Sequence, residues 1–114
     1  KKSYYYMITF TLSPDLIKGK DPLQTRTECE AFIEAQAFRP ALQFTQFHYV
    51  REKTKKGIDH WHCVVCSTTP LAKSRFKYYT RKYGAVDISK NKQQNLQEGL
   101  NYISKDGIPK SLLD

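Results

Sequence analysis

A β-hairpin predicted between residues 44 and 67 constrains the fold of this chain more than any other segment. An apolar and aromatic run at 44–50 leads into a polar, basic loop that ends in Lys56-Gly57, and a second apolar run follows at 60–65. Two extended runs joined by a short loop of this kind pair as neighbouring antiparallel strands. The chain therefore has to build its other elements around a sheet that contains this hairpin.

The loop also sets the register of the predicted hairpin. With residues 55–57 at the tip, Glu52 lies opposite His60 and Val50 lies opposite His62. Directly opposed residues share one face of a sheet, with their Cβ atoms about 5 Å apart. Because side chains alternate along a strand, both histidines share that face and the residue between them points to the other. A slip of one residue would move Glu52 out of line.

Glu52, His60 and His62 together predict a metal site. Two imidazole nitrogens and one carboxylate converge on one point of the sheet face in this register. Three protein ligands leave further coordination positions open, which is typical of catalytic rather than closed structural metal sites. The hairpin therefore organises the predicted fold and also carries a candidate catalytic metal site.

Two other interpretations of this segment stay open from the residues alone. An H-x-H pair on a half-exposed strand is often only a pair of solvated histidines. His60, His62, Cys63 and Cys66 also have the residue types of a zinc knuckle. The β-branched Val64-Val65 pair favours a strand instead, which would put the two cysteines on opposite faces.

The composition indicates one globular domain with a polyanionic partner. A chain of 114 residues, 39% hydrophobic and 13% aromatic, suffices for one modest core and is too apolar for a disordered segment. Nineteen Lys and Arg against eleven Asp and Glu give a net charge of +8. Nucleic acid is the first partner that this charge suggests, and an acidic membrane surface the second. No membrane partner is expected, because the sequence has no long apolar run and no signal peptide.

The cysteines and the first residue suggest the context of the domain. Three cysteines are an odd number without a disulfide framework, so we expect free thiols and a reducing compartment. The chain begins at Lys1 and ends soon after a helix signal. We therefore expect a domain cut from a longer protein.

The stretch from Tyr4 to Leu12 is rich in β-forming residues and predicts a central strand. Alternation sends one set of its side chains to the core: Tyr6, Ile8, Phe10 and Leu12. The other set lies on a half-polar face: Tyr5, Met7, Thr9 and Thr11. Aromatic rings and hydroxyls on an exposed sheet face can stack bases and hold phosphates, which makes Tyr5, Thr9 and Thr11 candidate nucleic-acid contacts. An ordinary solvated face is the alternative.

One helix is predicted before the hairpin and a second one after it. Residues 13–23 are expected to form a loop, after which Thr25 and Glu28 resemble a capping box for a packing helix that ends near Arg39-Pro40. After the hairpin, Thr69 is the expected N-cap and Gly84 the expected stop of a second helix. That helix carries a set of basic residues: Lys73, Arg75, Lys77, Arg81 and Lys82. They form either a phosphate-facing surface or a solvated face, and Lys53 near the hairpin tip is a similar candidate.

The remaining residues predict a short strand and a final helix. The strand covers 85–89 and contains Asp87, which is either an acid behind the metal ligands or a surface charge. The helix runs from about 94 to 105 and has Glu98, Tyr102 and Lys105 on one face. The whole pattern predicts an α+β fold, in which a central antiparallel sheet of about five strands, ferredoxin-like or RRM-like, is flanked by helices.

Three segments, in this order, resemble the motifs of the HUH endonuclease domain. They are FTLSP at 10–14, HWHCVV at 60–65 and NYISK at 101–105. The resemblance covers essentially the whole chain and is greatest to the replication-initiator (Rep) proteins of circular single-stranded DNA viruses such as geminiviruses and circoviruses. It implies that His60, His62 and Glu52 hold Mn²⁺ or Mg²⁺. It also implies that Tyr102 is the nucleophile, with Lys105 beside it.

This resemblance implies a sequence-specific nickase and strand-joining enzyme that starts rolling-circle replication. Its substrate is expected to be single-stranded DNA in a stem-loop origin, its intermediate a 5′-phosphotyrosine, and its location the host nucleus. The candidate DNA contacts are those named above: Tyr5, Thr9, Thr11, Lys53, Lys73, Arg75 and Lys77. A helicase domain is expected elsewhere in the full protein, which could oligomerise through it. The alternatives are another HUH enzyme, such as a transposase or relaxase, and an RRM-like module that binds single strands without cutting them.

Overall fold

The computed structural model describes residues 3–12, 18–81, 85–90 and 96–113 of the chain. The strands and helices in these ranges are β1 (Tyr4–Thr11), α1 (Pro22–Ala37), β2 (Phe44–Lys53), β3 (Asp59–Ser67), α2 (Lys73–Thr80), β4 (Ala85–Lys90), α3 (Leu96–Ile103) and β5 (Lys110–Leu113). Short 3-10 turns at Pro40–Leu42 and Ser104–Asp106 lie before β2 and after α3.

The strands form one antiparallel sheet in the order β4-β1-β3-β2-β5. Its first four members have the order of a ferredoxin-like β-α-β-β-α-β unit. The predicted α+β class is therefore confirmed. The sequence did not locate β5, which adds to the edge at β2, because its four residues KSLL are too few to show a period-two pattern.

One side of the sheet, the packed face, is covered by α1 and α2. The predicted core residues of the stretch 4–12 are all buried there: Tyr6, Ile8, Phe10 and Leu12. Ile33 of α1 and Phe76 of α2 pack into the same cluster, and the Phe76 ring lies 6.0 Å from that of Phe10. This cluster is the main hydrophobic core.

The opposite side, which carries His60 and His62, is the histidine face. A second, smaller apolar cluster forms on it, in which Ile103 of α3 packs against Val50 and Val64. All three side chains are at most 6% exposed. Helix α3 therefore covers the middle of the histidine face and leaves the end near the hairpin tip open.

Two of the predicted helix starts are wrong. Helix α1 begins at Pro22, and its N-cap is Asp21, whose carboxylate accepts a hydrogen bond from the Leu23 amide at 3.3 Å. Thr25 is already within the helix, where its hydroxyl donates to the Asp21 carbonyl, so Thr25 and Glu28 form no capping box. The expected loop over 13–23 thus ends before Pro22, and residues 13–17 lie outside the described part of the chain.

Helix α2 begins at Lys73, later than expected, because Thr69 belongs to the turn that leaves β3. The Thr69 amide donates to Ser67 Oγ at 3.3 Å, and the Leu71 amide donates to the Tyr6 hydroxyl at 3.0 Å. The expected stop at Gly84, with Lys82, lies outside the described residues, as do positions 94 and 95 at the expected start of α3. The last turn of the predicted final helix is a 3-10 turn.

The three cysteines are free thiols, as the sequence predicted, and all three are buried. Burial, with the nearby charges of Glu30 and Asp59, raises the pKa of the Cys29 thiol to about 12. Burial also holds the pKa of the Cys63 thiol well above its ordinary value. A protonated buried thiol is a poor nucleophile and a poor metal ligand.

In the described part of the chain, no helix combines the length and the apolar character needed to cross a bilayer.

Candidate metal centre and nucleophile

The hairpin of β2 and β3 has the predicted register. Glu52 pairs with His60, and Val50 pairs with His62. The tip is closed by two hydrogen bonds of 2.9 Å, from the Thr54 amide to the Ile58 carbonyl and from the Gly57 amide to the Thr54 carbonyl. Gly57 has a φ of 81°, a left-handed conformation that favours glycine. The local sequence of the turn therefore determines which side chains face each other beside it.

Glu52, His60 and His62 meet on the histidine face. His62 Nε2 lies 3.0 Å from Glu52 Oε1, and His60 Nε2 is hydrogen bonded to the same oxygen. The two imidazole rings are tilted, with centroids 4.6 Å apart. The three side chains are 29%, 16% and 19% exposed, so solvent reaches them but does not surround them. Because both Nε2 atoms point at one oxygen, the group is already convergent.

This donor set has the residue types and the spacing of a divalent-ion site. The three candidate ligand atoms all lie within 4.8 Å of one another, and within the described residues no other group of His, Cys, Asp and Glu does so. Two nitrogens with one carboxylate suit Mn²⁺ better than Mg²⁺. Mn²⁺ or Mg²⁺ is therefore compatible with the residues present.

The arrangement of the four residues does not support the zinc-knuckle alternative. Cys63 is buried in the core cluster of the packed face, on the opposite side of β3 from the histidines. Cys66 is on the histidine face beside Tyr5, but it lies four residues from His62, which is about 13 Å along an extended strand. The four residues therefore do not converge on one ion.

The neighbouring strand β1 contributes hydroxyls to the same face. Thr9 pairs with His62 and Thr11 with His60, and Thr9 Oγ1 lies 3.3 Å from His62 Nδ1. Asp87 of β4 pairs with Thr9 on its other side and is exposed. Since β1 lies between them, Asp87 is two strands away from His62. It sits next to Thr9 rather than next to a candidate ligand.

A group of charges on the packed face supports β3 directly beneath the histidines. The Asp59 carboxylate accepts from Arg26 at 3.0 Å and from Arg51 at 3.4 Å. The Trp61 indole donates to Glu30 at 2.8 Å. Asp59 and Trp61 flank His60 in the sequence, so these contacts fix the backbone from which that imidazole projects.

The candidate nucleophile lies on α3, which packs on the histidine face. Ile103 contacts Val50, the strand partner of His62, so α3 runs beside the three candidate ligands. Tyr102 precedes Ile103 and has a half-exposed side chain, at 50%. The ammonium of Lys105 lies 5.5 Å from the centre of its ring. As the spacing predicted, Tyr102 and Lys105 are neighbours, and with Glu98 and Asn101 they line one open groove.

The other candidate DNA contacts are divided between the two faces. Tyr5 is on the histidine face but four residues from Thr9, which is about 13 Å along β1. Lys53 pairs with Asp59, so it shares the packed face. Three further residues are exposed on α2, which covers the packed face: Lys73, Arg75 and Lys77. Of the seven, only Thr9 and Thr11 lie beside the candidate metal ligands.

The sequence suggested that Thr9 contacts DNA, and it did not predict the contact of Thr9 with His62. The two residues are 53 positions apart, and their contact depends on β1 lying next to β3. The β-rich character of 4–12 predicted a strand but did not indicate which strand lies next to it.

No protein-family model matches the chain, and no curated protein matches its sequence.

Proposed function

We propose that the chain is a metal-dependent HUH endonuclease of the Rep type, which nicks and rejoins single-stranded DNA. The observation that carries the proposal is the convergence of both histidine Nε2 atoms on the Glu52 carboxylate, on a sheet face beside the helix of Tyr102. Two histidines, a carboxylate and a helical tyrosine are the parts that the resemblance to Rep proteins requires. The net charge of +8 agrees with a polyanionic substrate.

The proposed reaction is a transesterification at phosphorus. The Tyr102 oxygen forms a bond to the phosphorus, the bond to the 3′ oxygen breaks, and that oxygen leaves as a hydroxyl after taking up a proton. Mn²⁺ or Mg²⁺ bound by Glu52, His60 and His62 would polarise the phosphate and offset its negative charge. The Lys105 ammonium, 5.5 Å from the centre of the Tyr102 ring, would place a positive charge beside the attacked phosphate.

The product is a 5′-phosphotyrosine and a free 3′-hydroxyl. One phosphodiester replaces another, so the step stores the energy of the broken bond and needs no ATP. A second 3′-hydroxyl can then attack the phosphotyrosine, release Tyr102 and join the strand. Such a cycle would nick an origin and recircularise the copied strand, as rolling-circle replication requires. An initiator of this kind from a eukaryotic virus would act in the host nucleus.

A single strand fits the proposed site better than a duplex. The candidate ligands lie on a sheet face, and the scissile phosphate has to come within bonding distance of both these ligands and the Tyr102 oxygen. Bases that leave the stack allow the backbone to approach such a surface. A stem-loop presents this single strand in its loop and a duplex in its stem. We therefore propose a stem-loop origin as the substrate.

A denaturing gel tests this proposal. The protein is incubated with a pool of single-stranded stem-loop oligonucleotides, with Mn²⁺ or with EDTA. We expect a metal-dependent, slower-migrating protein band that survives detergent and is lost in Tyr102→Phe. Tyr78→Phe is the matched control, because Tyr78 is also a helical tyrosine and is 61% exposed against 50% for Tyr102. An adduct that persists in Tyr102→Phe would assign the nucleophile elsewhere.

A single-strand-binding module that does not cut is the second candidate. The strand order β4-β1-β3-β2 favours it, because RNA-recognition modules also use a four-stranded sheet of this kind. However, such modules stack bases on the central strands, whereas α3 covers the middle of this face and leaves Val64 of β3 fully buried. Tight binding to the pool without any adduct would favour this second candidate.

A further inference from the structure

The Thr9 hydroxyl, which lies outside the set of candidate ligands, makes a hydrogen-bonding contact with the His62 ring. Its Oγ1 lies 3.3 Å from His62 Nδ1, while Nε2 of the same ring is 3.0 Å from Glu52 Oε1. The contact comes from the register of the sheet, since Thr9 is the β1 partner of His62. Both ring nitrogens of His62 are therefore engaged, one towards β1 and one towards the other candidate ligands.

A hydroxyl suits this position because it can donate and accept. When His62 Nε2 carries a proton and donates to Glu52, Nδ1 is an acceptor, and the Thr9 hydroxyl can donate to it. When Nε2 gives its lone pair to a metal, Nδ1 carries the proton, and the same hydroxyl can accept it. Rotation of one hydroxyl therefore satisfies His62 in both states, with no movement of the backbone.

We propose that Thr9 is a positioning residue for the candidate metal site, and that it orients His62 so that Nε2 faces Glu52 and His60. This role in metal binding rests on the proposed function, whereas the orientation of the ring does not. It differs from the DNA contact that the sequence suggested for Thr9. Partners that hydrogen bond to the second nitrogen of a metal-binding histidine typically change metal affinity 10- to 100-fold when they are removed.

Thr11 is a matched internal control. It lies on the same strand and face, two residues from Thr9, and pairs with His60 as Thr9 pairs with His62. Both threonines are partly buried. Among the hydrogen bonds of the described residues, the Thr11 hydroxyl makes none to the ring of His60. Any general effect of removing a threonine hydroxyl from this face should therefore be the same in both positions.

The test compares four proteins: wild type, Thr9→Val, Thr9→Ser and Thr11→Val. Valine keeps the shape and β-branching of threonine without the hydroxyl, and serine keeps the hydroxyl. Mn²⁺ dissociation constants are measured by electron paramagnetic resonance of the free ion. We expect Thr9→Val to bind Mn²⁺ about 10-fold or more weakly, and the other two variants to stay close to wild type. Wild-type affinity in Thr9→Val would overturn the role in metal binding.

Imidazole ¹⁵N chemical shifts provide the second measurement, on the metal-free proteins at about pH 9, where an ordinary imidazole is neutral. We expect the Nδ1 shift of His62 to change in Thr9→Val and to be restored in Thr9→Ser, with no change for His60. Unchanged His62 shifts in Thr9→Val would overturn the proposal. If the wild type binds no Mn²⁺, the metal part of the proposed function fails, and the ¹⁵N shifts still decide whether Thr9 positions His62.

Discussion

At the scale of single residues, one carboxylate oxygen holds the candidate site together. Glu52 Oε1 accepts from His62 at 3.0 Å and also contacts His60 Nε2. Two imidazole rings attract each other only weakly in water. The Glu52 carboxylate, which contacts both rings, is therefore the group that attracts and orients them. The group is therefore arranged before a metal arrives, which lowers the entropic cost of binding the ion.

The charge of Glu52 gives the first prediction at this scale. Glu52→Gln keeps the size of the side chain but replaces a charged oxygen ligand with a neutral amide. We expect Mn²⁺ binding, measured by electron paramagnetic resonance, to weaken about 10-fold or more, with the circular dichroism spectrum unchanged. Asp87→Asn is the control, because Asp87 is on the same face but separated from His62 by β1. Equal losses in both variants would indicate a general effect of charge.

At the scale of elements, the local signal of the hairpin turn predicted the strand register correctly, whereas the local capping signals placed two helix starts wrongly. The turn at 54–58 and simple alternation were enough to pair Glu52 with His60. Nothing local indicates that β1 lies beside β3, or that α2 covers the face opposite the histidines. For this reason the register that brings Glu52, His60 and His62 together was predicted correctly, whereas the contact of Thr9 with His62 was not foreseen.

The edge strand β5 is held by polar contacts as well as by its backbone pairing with β2. Lys110 of β5 donates to Glu34 of α1 at 2.8 Å, and the Tyr49 hydroxyl donates to the same carboxylate. On the other face, Ser111 Oγ lies 2.6 Å from Nδ1 of the buried His48. The hydrogen bonds from Lys110 and Tyr49 lower the pKa of Glu34, and burial together with Glu34 raises the pKa of Tyr49 well above its usual range.

Glu34 therefore makes stability depend on pH. A lowered pKa in the folded state means that the ionised carboxylate stabilises the fold at pH values above its ordinary pKa of 4.5, and that this contribution is lost as the pH falls through the folded-state pKa. We expect Glu34→Gln to reduce the free energy of unfolding by about 1–2 kcal/mol at pH 7, and the difference from wild type to shrink in acid.

Urea unfolding at pH 7 and in acid measures this difference. The control is Glu28→Gln, another carboxylate on α1, which is exposed and hydrogen bonded to Gln24 within the same helix. We expect it to change stability by less than about 0.5 kcal/mol at either pH. A Glu34→Gln difference that does not vary with pH would show that the interaction does not depend on the ionised carboxylate.

At the scale of the whole molecule, the two helices that cover the packed face differ in charge, and the basic one lies on the other side of the sheet from the candidate metal ligands. Three acidic residues lie on α1: Glu28, Glu30 and Glu34. In contrast, the nine residues from Lys73 to Arg81 contain four Lys or Arg and no acidic residue. Helix α2 covers the packed face, whereas the candidate metal ligands lie on the histidine face. A short single strand at the candidate site would therefore not also lie along α2, whereas a longer stem-loop could reach both surfaces.

This separation predicts that α2 contributes to binding of the stem-loop but not to cleavage of a short strand. Lys73 and Lys77, one helical turn apart and both exposed, are the residues to change. We expect the double variant Lys73→Glu, Lys77→Glu to bind a stem-loop more weakly. The slope of log K against log salt should fall by about one for each lost phosphate contact. Adduct formation with an oligonucleotide that contains the cleavage site but no stem should be unchanged.

The matched control reverses two lysines elsewhere, with the same change in net charge. Lys18 and Lys20 are exposed and precede α1. If Lys18→Glu, Lys20→Glu weakens stem-loop binding as much as the α2 variant does, then total charge rather than the α2 surface determines affinity. If the α2 variant alone loses stem-loop affinity and keeps its activity on the short strand, the two faces have separate tasks. Binding of the duplex would then be a property of the packed side of the molecule, and cleavage a property of the histidine face.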